Sequence, residues 1–135
     1  MAHVFLDSNV LLRHLLQDVS EQAARATAYL EKVESGEVAA RISDAVVMET
    51  VFVLERSVRA TKREIRELVL PLLELRGLVL PGKRRFRRVF DLYADQNISF
   101  VDAYHVVQMK RWGIGDVVSF DRDFDRLVEV RRREP

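Results

Sequence analysis

The 135-residue sequence contains no cysteine. That excludes disulfides and thiolate metal sites, and it fits a reducing cytosol. No apolar run approaches the roughly 20 residues that a membrane span needs. Nor is a secretory leader legible, because Asp7 falls where such a leader requires its apolar centre. The chain is therefore expected to be cytoplasmic, with no membrane partner. Charge of one sign is missing too: 22 basic residues face 21 acidic ones, a net charge of +1. That balance does not by itself mark a nucleic-acid binder. Internal repeats, low-complexity tracts and linkers are absent as well.

What is present is a globular composition, 48% hydrophobic, long enough to bury a proper core as a single domain over residues 1–135. Basic residues cluster twice, as Lys83, Arg84, Arg85, Arg87 and Arg88 and as Arg131, Arg132 and Arg133. Such clusters suit phosphate or an acidic partner protein, and equally a solvated helix face and a charged tail.

Apolar spacing and breakers predict strands alternating with helices. Residues 3–7 read as a buried strand, followed by a helix from Ser8 or Asn9 to about Leu16. "DVSE" fits a capping box with Asp18 as N-cap and Glu21 reaching back. The next helix carries Ala23, Ala26, Leu30 and Val33 on one face and ends near Gly36. "EVAARIS" is a second strand, and residues 45–58 a helix. "TKRE" is another capping box, Thr61 with Glu64, opening a helix with Ile65, Leu68, Val69 and Leu72 inward and Pro71 as a kink or stop. "GLVLPG" is a short strand; helices follow from Lys83 to Ala94 and from Ser99 or Phe100 to Trp112. "DVVSF" is a buried strand, "DRDFDRL" a loop or short helix, and "VEV" a last edge strand. The alternation implies parallel pairing and an α/β layered sandwich, whose ligands bind beyond the carboxyl ends of the strands.

Four acids stand out. Asp7 ends the first strand, as a helix cap or as part of a site. Glu49 shares its helix face with Ala45, Val46, Phe52 and Val53, so it is expected to be buried and to need a cation, a metal or a proton; a salt bridge to Arg56 or to a distant base is the alternative. Asp102 can pair with Ser99 as a cap, and it also begins a polar stripe with His105 and Gln108 that is either exposed or the wall of a cleft. Asp121 follows the "DVVSF" strand, while Asp123 is expected to cap the next turn. A calcium loop is excluded there, because its sixth and twelfth positions would be Arg126 and Arg132. Carboxylates converging in one cleft repel one another unless cations neutralise them. Oxygen-only donors favour magnesium or manganese, and such cages are typical of phosphoryl transfer, where the metal activates water.

With "FLDSNVLL", "SDAVVMETVFVL", "ISFVDAYHV" and "VVSFDRDFDRL" in this order, the chain resembles the PIN domain family, and within it the VapC-type toxins of toxin–antitoxin pairs. The resemblance spans essentially the whole chain. It implies a Rossmann-like three-layer α/β/α sandwich around a parallel sheet, and a Mg2+- or Mn2+-dependent endoribonuclease that leaves 5′-phosphate ends. Carried over, the catalytic and metal-binding acids are Asp7, Glu49, Asp102 and Asp121, with Asp123 the competitor for the fourth place. Ser8, Asn9 and Ser119 match supporting positions, giving hydrogen bonds to ligand carboxylates, water or phosphate. Capping is then left to Ser8 or Asn9 while Asp7 faces the cleft. Arg84, Arg85, Arg88 and Arg122 are candidates to hold RNA. A cognate antitoxin and a homodimer are the implied protein partners.

Other readings compete. A non-toxin PIN nuclease of RNA processing would carry the same residues. A HAD-type phosphohydrolase would need a second acid where Asn9 stands, and an amide cannot act as a general acid. A module that binds RNA or protein without turnover is the third.

Overall fold

A computed structural model describes residues 4–135, which gather into two compact units divided between Lys83 and Arg84. The first unit contains β1 (Val4–Phe5), α1 (Ser8–Leu16), α2 (Ser20–Ser35), β2 (Ala40–Arg41), α3 (Asp44–Val53), α4 (Lys62–Leu73) and β3 (Leu78–Val79). The second contains α5 (Arg85–Asp95), α6 (Phe100–Arg111), β4 (Asp116–Val118) and β5 (Arg131–Arg133). His3, the first residue of the expected opening strand, lies outside the described residues.

The expected α/β architecture with parallel strands is what the chain adopts. In the first unit the sheet order is β1-β2-β3, all parallel, with Val4 opposite Ala40 and Ala40 opposite Leu78. Helical crossovers return the chain to the same end of the sheet, as parallel pairing requires. The ladder runs past the short strands: the Leu6 amide donates to Arg41 O at 2.8 Å and the Ile42 amide to Val79 O at 3.1 Å. Leu11, Val33, Ile42, Val47, Ile65 and Val69 are fully buried. Gly77 enters β3 so close to the α2 end that an added Cβ would stand 2.1 Å from Val38 O and 2.6 Å from Val33 O.

The second unit is built on aromatic packing between α5 and α6. Phe90 and Phe100 lie 4.9 Å apart between ring centroids, and Tyr93 meets Phe100 edge-on at 5.3 Å. Strands β4 and β5 pair in parallel, with Asp116 opposite Arg131 and Val118 opposite Arg133.

Several local expectations are corrected. Asp18 does not cap α2; it pairs with Arg13 at 3.1 Å, and Val19 occupies the cap position without a side-chain bond. Helix α3 stops at Val53 and the chain widens into a π turn over Leu54–Val58. Pro71 does not break α4 at once: the helix passes through it and ends two residues later, with i→i+3 bonds from Glu74 and Leu75 closing the end. Leu68 is 42% exposed rather than inward. "DVVSF" is not a buried strand: Val118 is 62% and Phe120 73% exposed, because β4 has only β5 beside it among the described residues. The last strand is Arg131–Arg133 instead of "VEV", and Val128 is almost wholly exposed. Among the described residues, no helix is long and apolar enough to cross a membrane.

Candidate active site

In the first unit the chain leaves β1, makes its last ladder bond at Leu6 and turns into α1 at Asp7. Asp7 has the extended backbone of an N-cap, and its Oδ2 accepts from the Asn9 amide at 3.3 Å. The cap is therefore Asp7 itself and not Ser8 or Asn9. A carboxylate reaches the amide two residues on and satisfies one of the orphan donors of a helix start. The Asp7 side chain caps the helix and remains exposed.

Glu49 is not buried. On α3 its side is exposed together with Ala45, while Val46, Val47, Thr50 and Val51 face inward. The helix is apolar on nearly every side, so its pattern did not reveal which side packs. Its partner is Ser8 rather than Arg56: the buried Ser8 hydroxyl donates to Glu49 Oε1. This bond joins the start of α1 to the middle of α3.

In the second unit Ser99 caps α6, accepting from the Asp102 amide at 3.1 Å. Burial holds the Asp102 carboxyl above its ordinary value, and the neighbouring Asp121 and Asp123 raise it further, while the Ser99 hydroxyl and His105 oppose the rise. Asp102 and Gln108 are half-buried and His105 is exposed. Asp121 is held by the turn it begins: its amide donates to Ser119 Oγ at 3.0 Å and its Oδ1 accepts from the Asp123 amide at 2.9 Å. Asp121, not Asp123, caps the 3-10 turn Arg122–Arg126, and Asp123 pairs with Arg126 at 3.1 Å. Asp121 also acts on Asp102 more strongly than Asp123 does.

Each unit thus carries two of the four predicted acids. Within either unit, among the described residues, no three acidic or histidine side chains close on one point. The donor chemistry fits Mg2+ or Mn2+: the candidates are carboxylate oxygens, and a cation would offset the burial and the neighbouring negative charge that raise Asp102.

Most of the basic clusters are engaged internally. Lys83 donates to Leu78 O at 2.9 Å and Leu75 O at 3.3 Å, tying down the loop around β3. Arg85 donates to Gln108 and lies 5.5 Å from the Phe86 ring centroid, and Arg88 pairs with Glu129. Arg131 and Arg133 meet Asp116, and Arg132 meets Asp125 and Glu134. Of the four arginines proposed for RNA, Arg84, Arg88 and Arg122 are exposed, Arg88 while paired with Glu129.

A cleft of about 580 Å³ opens in the first unit between α1 and α2, with Asp7, Asn9 and Arg13 on one wall and Gln22, Arg25 and Tyr29 on the other. Its signal was the 22, 25, 29 spacing on α2, a polar and aromatic stripe beside the apolar Ala23 and Leu30 face.

Compared with known proteins, residues 4–130 match the family model described as "PIN domain". A "VapC ribonuclease" of Aquifex aeolicus (strain VF5) is 28% identical over 122 residues, covering 90% of each chain.

Proposed function

The chain belongs to the PIN domain family, and from that premise we propose that it is a divalent-metal-dependent endoribonuclease acting as the toxin of a toxin–antitoxin pair. The support is the family match over residues 4–130, a span that includes all four acids. The toxin role follows the name of the Aquifex relative. A single domain, a homodimer and a cognate antitoxin belong to the same proposal.

Asp7, Glu49, Asp102 and Asp121 are the residues that would hold the metal. When bound, Mg2+ or Mn2+ supplies Lewis-acid polarisation of a phosphoryl oxygen and acidifies water for in-line attack on phosphorus. The chain's own contribution is orientation. Each acid takes a hydrogen bond from its own unit: Asp7 from the Asn9 amide, Glu49 from the Ser8 hydroxyl, Asp102 from Ser99 and Asp121 from the Asp123 amide. Such partners limit each carboxylate to few orientations and leave lone pairs for a cation. Arg84, Arg88 and Arg122 are exposed cations that would meet the RNA backbone, which makes binding weaken with salt.

The test is cleavage of structured RNA by purified protein with Mg2+, beside an Asp7→Asn variant and an EDTA control. Loss of cleavage in both controls is expected. Equal cleavage by variant and wild type rejects the assignment, and binding without cleavage favours a non-catalytic module. Growth arrest on expression, abolished by Glu49→Gln, separates the toxin from a nuclease of RNA processing.

A further inference from the structure

The cleft between α1 and α2 has the chemistry of a nucleotide. Its apolar lining comes from Phe5, Leu6, Val10 and Ala26, and Tyr29 adds a half-buried ring. A nucleobase presents an apolar face for stacking and donors and acceptors along its edge. The polar groups suit that edge. Arg13 is tied at 3.1 Å to both Asp18 oxygens and at 3.0 Å to Gln22 Oε1. It therefore orients the Gln22 amide, whose NH2 group remains as the donor, and Asn9 offers a second, exposed amide. Arg25 is the exposed cation of the site: its side chain is 78% exposed and meets Glu21 at 3.8 Å. Asp7 belongs both to this lining and to the proposed metal ligands, so the cleft begins where the scissile phosphate would lie.

We propose that this cleft is a substrate subsite that takes one unpaired base of single-stranded RNA beside the cleavage point, stacked on Tyr29, with Arg25 on the adjoining phosphate. The inference rests on the ribonuclease reading and adds the cleft and the residues that would hold the base. A flat ring between side chains requires an unstacked base, which loops and bulges provide and duplexes do not.

The experiment uses full-length protein in an Asp102→Asn background, chosen to prevent cutting, with Mg2+ and a labelled single-stranded RNA dodecamer read by fluorescence anisotropy. Adding Tyr29→Ala or Arg25→Glu is expected to weaken binding at least about fivefold, the lower end for a lost stacking contact. Tyr29→Ala should matter much less for a strand of equal length carrying abasic sites. With Asp102 restored, each variant should raise KM and leave kcat unchanged, the mark of lost substrate binding. Arg25 is exposed, so Arg25→Glu decides the matter should Tyr29→Ala fail to fold. Wild-type affinity in a folded Arg25→Glu variant overturns the subsite and leaves the cleft to a protein partner. Equal loss on the abasic strand overturns the stacked base. A wild-type protein that neither binds nor cuts RNA fails at the earlier reading, and the subsite falls with it.

Discussion

The Ser8 hydroxyl carries one of the most consequential side-chain bonds in the first unit. It is buried at the head of α1 and donates to Glu49 on α3, 41 residues away in sequence. If Glu49 is a metal ligand, Ser8→Ala frees its carboxylate to rotate, and cleavage should fall about 10- to 100-fold, as for other partners of ligands. Steady-state cleavage beside a melting curve checks this; a drop in stability with unchanged cleavage contradicts it. Gly77 is decided by space. Backbone oxygens of Val38 and Val33 stand where a Cβ would go, and backbone cannot swing aside as a side chain does. Gly77→Ala should therefore destabilise the protein by about 3 kcal/mol, read from the denaturant midpoint. Nothing around Gly77 in the sequence announces this, since the obstructing atoms arrive from the end of α2.

Among the elements, helix starts were legible when their chemistry was local. Thr61 and Glu64 form the expected capping box, with bonds of 3.1 and 3.0 Å. Thr61→Ala should cost about 1 kcal/mol in chemical denaturation. "DVSE" carries the same local signal, and there Arg13 on the preceding helix takes Asp18 away. Strand β5 shows the same competition over a longer reach. Its arginines read as a free basic tail, but they pair with Asp116 and Asp125. Hydrogen bonds from Arg131 and Arg132 hold those two carboxyls below their ordinary values. An acid lowered on folding stabilises the native state above its unfolded pKa and loses that contribution as pH falls through its folded value. Neutralising Arg131 and Arg132 should thus lower the melting temperature at pH 7, and the effect should fade as pH falls below the ordinary carboxylate range through the lowered values of the two acids. Thermal melts across that range test the sign.

For the whole molecule, the proposed ligand to test is the divalent ion. Burial, with Asp121 and Asp123 nearby, raises the Asp102 carboxyl. An acid raised on folding binds its proton more tightly in the native state. Stability therefore declines as pH climbs from the ordinary carboxylate value through the raised one, and the penalty is complete above it. Without metal at pH 7, Asp102→Asn should raise the melting temperature. With Mg2+ at a hundredfold excess over Kd, the wild type should gain about 2.7 kcal/mol, most of which the variant forgoes. A variant that responds to Mg2+ as the wild type does contradicts the role given to Asp102. The sequence by itself determined the order of strands and helices, the parallel pairing and the caps at Thr61 and Ser99, because these depend on apolar period and on groups three residues apart. Only the tertiary structure decided that Glu49 faces outward onto Ser8, that Lys83 is a loop tie and that a cleft opens between α1 and α2. Those outcomes turn on which face of an apolar helix packs and on partners dozens of residues apart, and no local period records either.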